Sequence, residues 1–288
     1  MGFLRVVEVF PPLFADTCIR ERFAPGKALD RVVKSVSDIG RYSDLVLVAD
    51  IKNPELLKLS SVYVALAIKE RAGVEAAPVV VVRDSNRAHL RSAILTAVTS
   101  GLNSIMLAWG DRYLTDAHAS NVYDYAELAE FVAEASTIGR RAGKNLRILA
   151  PVTLTTLSSE KGITRARSRL DAGAELLLAQ PPTTDSRETF ERHLSLLESS
   201  GLKSRVLLNI FPFRSGRDVR ECERYFGWKL PRRLHETARS GKQALLAEAR
   251  SVSDKLLEAG LPGVYVSTRG IPALARTILK RSPAGRKR

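Results

Sequence analysis

The chain has 288 residues, 45% of them apolar, which suits one large core of the size of a (β/α)8 barrel, about 250 residues. Its longest apolar runs, such as Val79–Val82 and Leu176–Ala179, are strand-length, far short of the roughly 18 residues of a membrane span, and no charged stretch followed by an apolar one marks a signal peptide. The net charge of +14 leaves three readings open: nucleic-acid binding, steering of an anionic substrate or cofactor, and a charge-rich surface with no specific partner.

In chain order, short β-branched and aliphatic runs alternate with amphipathic stretches. The expected strands are Leu4–Val9, Asp44–Ala49, Pro78–Val82, Ser104–Ala108, Leu146–Ala150, Leu176–Gln180, Arg205–Ile210 and Gly263–Ser267. Their near-continuous apolar character points to a parallel sheet covered on both faces. The expected helices are Gly26–Ile39, Pro54–Ala72, Ser85–Ser100, Tyr123–Ala142, Glu160–Ala172, Ser186–Ser199, Asp218–Phe226, Gly241–Ala259 and Pro272–Lys280. Asn53-Pro54-Glu55 reads as a helix start, Asp84 or Ser85 as the cap of the third helix, and Asp185-Ser186 as a later start. Gly73, Gly101, Gly143, Gly201 and Gly260 read as helix stops.

Eight βα units predict an α/β fold of the (β/α)8 TIM-barrel type, one domain over residues 1–279 with a basic, disordered tail at 280–288. An open Rossmann-like sheet is the alternative, weakened because no Gly-x-Gly-x-x-Gly follows the first strand. Cys18 and Cys222 form neither a disulfide framework nor a metal spacing, so a cytoplasmic setting is expected. No nucleic-acid motif accompanies the positive charge, which argues against that partner.

A barrel builds its active site at the C-terminal strand ends. Those positions hold Glu8, Asp50, Arg83-Asp84, Trp109-Gly110-Asp111, Pro151 and Thr153, Gln180, Asn209 and Thr268-Arg269. The ring has carboxylates, amides and arginines but no histidine: His89, His118, His193 and His235 all fall in helices or loops, so no metal site is expected. Such a set suits binding a polar heterocycle and handling a transient cation. Glu8 lies among Val7, Val9 and Phe10, where partial burial would favour a held proton; it reads also as a structural carboxylate bonded across the barrel mouth. Asp111 reads also as a loop cap, Gln180 as a packed amide, and Arg269 as a surface arginine at a helix start.

Several of these stretches resemble the methylenetetrahydrofolate reductase family. Val7-Glu8-Val9-Phe10-Pro11-Pro12 is similar to its Phe-Glu-Phe-Phe-Pro-Pro, and Leu107-Ala108-Trp109-Gly110-Asp111 to its Ala-Leu-Arg-Gly-Asp. Gly73-Val74-Glu75-Ala76-Ala77-Pro78 matches its approach to strand three, and Asp171-Ala172-Gly173-Ala174 with Gln180 its Asp-Ala-Gly-Ala and following Gln. Ile210-Phe211-Pro212 is similar to its Ile-Leu-Pro, and Ser267-Thr268-Arg269 stands in the place of its segment ending in Asn-Arg. The matches run in the family's order along nearly the whole chain.

The resemblance implies reduction of a 5,10-methylene-tetrahydropterin, of folate or a related carrier, to the 5-methyl form, as in methionine biosynthesis. Glu8 would be the general acid and Asp111 the stabiliser of the iminium cation. Gln180 would bind the pterin edge and Arg269 the glutamyl tail, with Thr268 as a further substrate contact. FAD is the implied cofactor, with Asp50, Trp109 and Arg169 as its candidate contacts, and NAD(P)H the reductant.

The chain departs from the family mainly where the flavin would lie. Val48-Ala49-Asp50 replaces Tyr-Gly-Ala, Pro78-Val79-Val80-Val81 lacks the family's His, Ala150-Pro151-Val152 replaces Tyr-Pro-Glu, and Trp109 replaces an Arg. Three readings stay open: FAD held by other residues, hydride taken directly from a nicotinamide, or a non-catalytic pterin-binding or partner-dependent subunit of a one-carbon complex, as a homo-oligomer or with another chain.

Overall fold

The computed structural model describes residues 2–15, 24–51, 56–110 and 123–280. Its strands are β1 (Leu4–Val9), β2 (Leu13–Ala15), β3 (Leu45–Val48), β4 (Leu56–Lys58), β5 (Ala76–Val81), β6 (Ser104–Ala108), β7 (Arg147–Thr153), β8 (Ala174–Gln180), β9 (Val206–Ile210) and β10 (Gly263–Ser267). Eight of them close a parallel barrel in the order β1-β10-β9-β8-β7-β6-β5-β3, while β2 and β4 form a separate antiparallel pair. The expected (β/α)8 fold is therefore the observed one. The helices are α1 (Pro25–Ser37), α2 (Ser61–Ala72), α3 (Arg87–Thr99), α4 (Leu128–Arg141), α5 (Glu160–Asp171), α6 (Arg187–Ser199), α7 (Gly216–Phe226), α8 (Arg232–Arg239), α9 (Lys242–Glu258) and α10 (Ala273–Leu279).

Alternation along each strand builds two cores. Inward positions, among them Val6, Leu47, Val79, Met106, Leu149, Leu178, Leu207 and Tyr265, fill the barrel. Outward positions, such as Val7, Val80, Leu107, Ile148, Leu177, Leu208 and Val266, pack under the helices. The barrel closes where β1 meets β10, in register from Leu4 with Gly263 to Glu8 with Ser267. Gly263 is required there, because a Cβ would lie 2.1 Å from the Leu4 carbonyl oxygen. At the opposite, N-terminal end, the charges are paired: Arg5 with Asp44 at 2.8 Å, Lys69 with Glu75 at 3.1 Å and Arg147 with Glu175 at 3.0 Å.

Some expected boundaries change. The helix expected from Pro54 begins at Ser61, because Leu56–Lys58 instead zips against Leu13–Ala15. The proposed Asn53-Pro54-Glu55 start lies outside the described residues. The cap of α3 is Asn86 rather than Asp84 or Ser85: its side chain accepts from the His89 N–H at 2.8 Å. Ser186 sits at the N-cap of α6 without a side-chain cap bond. The helix expected from Tyr123 begins at Leu128, and α8 was not expected at all; only Leu234 of α8 is buried. The five predicted stop glycines all take the left-handed conformation. No helix among the described residues is long and apolar enough to cross a membrane.

Candidate functional site

Glu8 is the last inward residue of β1, two positions beyond Val6, so a short apolar strand delivers its carboxyl into the barrel mouth. Barrel closure sets β10 beside it. The Ser267 hydroxyl donates to Glu8 Oε2, and the Thr268 hydroxyl donates to the Glu8 carbonyl at 2.6 Å. Thr268, which the sequence suggested as a substrate contact, is fully buried, and its hydroxyl fastens the backbone beneath the acid. Ser267, which sequence reasoning passed over, donates to the carboxyl. Its signal was parity: Tyr265 and Ser267 both face inward, opposite Val6 and Glu8 in turn.

Gln180 ends β8 on the inward face, paired across the sheet with Thr153 of β7. Arg269 follows β10 in the left-handed region at φ 52°, an uncommon state for a side chain larger than glycine. Two contacts hold it there: its Nη1 lies 3.1 Å from Asp218 Oδ1, and its guanidinium sits over the Phe211 ring at 5.7 Å. Asp218 also accepts from Arg214 Nε at 2.8 Å and Nη2 at 3.2 Å. Burial alone would raise the Asp218 carboxyl, but the bonds from Arg214 and the charge of Arg269 hold it below its ordinary range. One carboxylate thus serves two guanidiniums, leaving a net positive corner beside the mouth.

The candidate cofactor contacts do not join this group. Asp50, just past β3, is ion-paired with Lys58, and burial lowers the lysine's pKa. Trp109 has the wrong parity: Ala108 faces inward, whereas Trp109 packs on the outer core and stacks on Tyr123, centroids 4.7 Å apart at 9°. Arg169, on α5, donates to the Pro151 carbonyl, and burial pushes its pKa down. The second candidate catalytic residue, Asp111, lies outside the described residues. Its neighbour Gly110 is held in a left-handed turn where a Cβ would lie 2.6 Å from Val81 Cγ1 and 2.9 Å from Arg83 Cβ, so only glycine passes that corner. The candidate flavin residues therefore do not fit a flavin in the mouth. No group of three or more His, Cys, Asp or Glu among the described residues is placed to hold a metal ion.

A cleft of about 400 Å³ lies elsewhere, between α2 and α3, lined by Asp50, Lys58, Tyr63 and His89 among others. Asp50 and Lys58 neutralise each other there, and Glu8, Gln180 and Arg269 do not line it.

Behind the β8–β9 arc a second polar layer seals the site. The Thr183 N–H donates to the Asn209 carbonyl at 2.8 Å, and the Thr183 hydroxyl lies 3.0 Å from His193 Nδ1. Burial, with some help from the charge of Arg192, pushes the His193 pKa down to about 4, so this ring is neutral at pH 7. Burial likewise raises the Glu248 carboxyl, which accepts from the Asp185 N–H at 3.3 Å.

Comparison with known proteins supplies the rest. No curated protein matches the chain in sequence. Among solved structures, an uncharacterized protein from Clostridium thermocellum, described as binding two copies of 5-methyl-5,6,7,8-tetrahydrofolic acid, has a TM-score of 0.65 at 13% identity, covering 96% of each chain. At that identity the likeness is one of fold. The sequence model for methylenetetrahydrofolate reductase matches residues 27–245, a span that holds Gln180 and the Gly110-Asp111 corner though not Glu8 or Arg269. With most of the chain matched and the barrel it requires in place, the chain belongs to the methylenetetrahydrofolate reductase family.

Proposed function

We propose that the chain reduces the methylene bridge of a 5,10-methylene-tetrahydropterin to a 5-methyl group. The observation that most supports this reading is the Glu8 carboxyl held by Ser267 inside the barrel mouth of a family member. Protonated Glu8 gives its proton to the bridge nitrogen whose bond to the methylene carbon breaks. That nitrogen keeps the electron pair, and the carbon becomes an iminium centre. NADH or NADPH, as second substrate, supplies the hydride to that carbon. Gln180 donates and accepts along the pterin edge, Arg269 pairs with a carboxylate of the glutamyl tail, and the charge of Asp111 balances the cation. The ligand of the Clostridium thermocellum neighbour is the folate product of this chemistry, which supports a folate ligand.

The test incubates the purified chain with 5,10-methylenetetrahydrofolate and either nicotinamide, with and without added FAD. The 5-methyl product should form, and the protein should be colourless. Absence of reductant oxidation under every condition overturns the reading. The commitment of Asp50, Trp109 and Arg169 to other contacts favours one alternative, a pterin-binding subunit that needs a partner. It predicts folate binding without turnover.

A further inference from the structure

We infer that Asn209 is a positioning residue for the pteridine ring, forming with Gln180 a two-amide edge across β8 and β9; this rests on the pterin reading above. Leu208 and Ile210 pack on the outer core and Leu207 lies in the inner one, so Asn209 faces into the barrel. It is fully buried, and among the described residues neither its side-chain nitrogen nor its side-chain oxygen has a hydrogen-bond partner. An unmet buried polar group costs about 1–3 kcal/mol, and the same inward face carries Leu207 one step below. A leucine at 209 would avoid that cost. The amide has a use if its partners arrive with a ligand.

Strand register supplies the second half of the edge. Asn209 is paired with Tyr265 on one side. On the other, the register that pairs Leu178 with Leu207, carried two residues on, sets Gln180 beside Asn209. The loop after Gln180 returns to the same residue through the Thr183 N–H, which fixes the Asn209 backbone and leaves its side-chain amide to the barrel. Two neighbouring amides present donors and acceptors together. That is the complement of the amino, ring-nitrogen and carbonyl edge of a reduced pteridine, and it suits a neutral heterocycle better than an anion.

The experiment compares wild type with Asn209→Leu and Asn209→Asp. Binding of 5-methyltetrahydrofolate and of tetrahydropteroate, which lacks the glutamyl tail, is measured by calorimetry, and thermal melting is followed without ligand. Asn209→Leu should melt at or above wild type, because it removes an unmet polar group, yet bind both pterins about tenfold or more weakly. Asn209→Asp keeps the size and the acceptors, loses the amide donors, and should lose a comparable factor; it decides the matter where the leucine variant fails to fold. Equal pterin affinity in wild type and variants overturns the inference while leaving the pterin reading intact, and points to an amide satisfied by buried water. A wild-type protein that binds neither pterin overturns both.

Discussion

Along one arc of the barrel mouth, from β8 through β9 and β10 to β1, the polar side chains Gln180, Asn209, Ser267 and Glu8 all stand on inward positions. Along the facing arc, β3 to β6, Asp50 is taken up by Lys58, and Trp109 is turned out against Tyr123. Both arcs place chemistry-bearing residues at strand ends. The first places all four on the inward parity, whereas on the second Arg83 keeps it and Asp50 and Trp109 do not, and a shift of one residue moves a side chain through the sheet. A strand end is thus a site position only when its parity is right. The first arc has the groups to grip a polar heterocycle, while on the second Asp50 and Trp109 are engaged by Lys58 and Tyr123.

The largest test of the first arc is Glu8→Gln. Glutamine keeps the shape and still accepts from Ser267, but it has no proton to give at neutral pH. Turnover should fall about 100- to 10,000-fold with melting little changed. Unaltered turnover would reduce Glu8 to a structural carboxylate and remove the main contrast between the arcs.

The backing of the same arc should be acid-sensitive. His193 has a folded pKa of about 4 against an ordinary value of 6.5, so the unfolded chain takes up the proton first. Stability from this group is present above about pH 6.5 and is lost as the pH falls towards about 4, for a total near 3 kcal/mol. At pH 5 the loss is about 2 kcal/mol. His193→Gln, which can still bond to Thr183, should flatten that slope in denaturant titrations at pH 7.5 and 5. A wild-type slope retained in the variant would place the sensitivity elsewhere.

The barrel was legible because its strands are buried on both faces and leave continuous apolar runs. Leu4–Val9, Ser104–Ala108 and Gly263–Ser267 fall where the sequence puts them. The three-residue pair β2–β4 is too short to show a period, and α8 buries too little to show a stripe. Glu8 and Gln180 were legible as polar breaks at the ends of apolar strands. Ser267 meets Glu8 across 259 positions, a contact that only barrel closure creates. Asn209 was visible as a strand-end residue, but whether its amide has partners depends on its three-dimensional neighbours. Trp109, an aromatic at a strand end, reads either as a stacking platform for a ring or as a core filler, and which neighbour it meets, Tyr123, depends on the fold.

The corner that joins the first arc to solvent gives a smaller effect. Arg269→Ala removes one of the two guanidiniums on Asp218, while Arg214 continues to hold that carboxylate. Folate affinity should fall about tenfold, the scale of one lost charge-assisted pair. Tetrahydropteroate, with no glutamyl tail, should bind as before. Equal losses for both ligands would assign Arg269 to the shape of the mouth rather than to the tail.

The smallest effect belongs to the second arc, and it tests the comparison most directly. Trp109→Phe keeps an aromatic ring against Tyr123 and trims the indole. On the outer face it should lower stability by about 1 kcal/mol, the scale of a partly weakened aromatic pair. Turnover and pterin affinity should stay at the wild-type value, because Ala108 and Gly110, not Trp109, stand on the inward parity of that strand. A tenfold fall in turnover at unchanged stability would mean that the indole reaches the reacting ring, which requires the end of β6 to turn over when ligand binds. The two arcs would then form one site, and parity in the ligand-free barrel would no longer separate them.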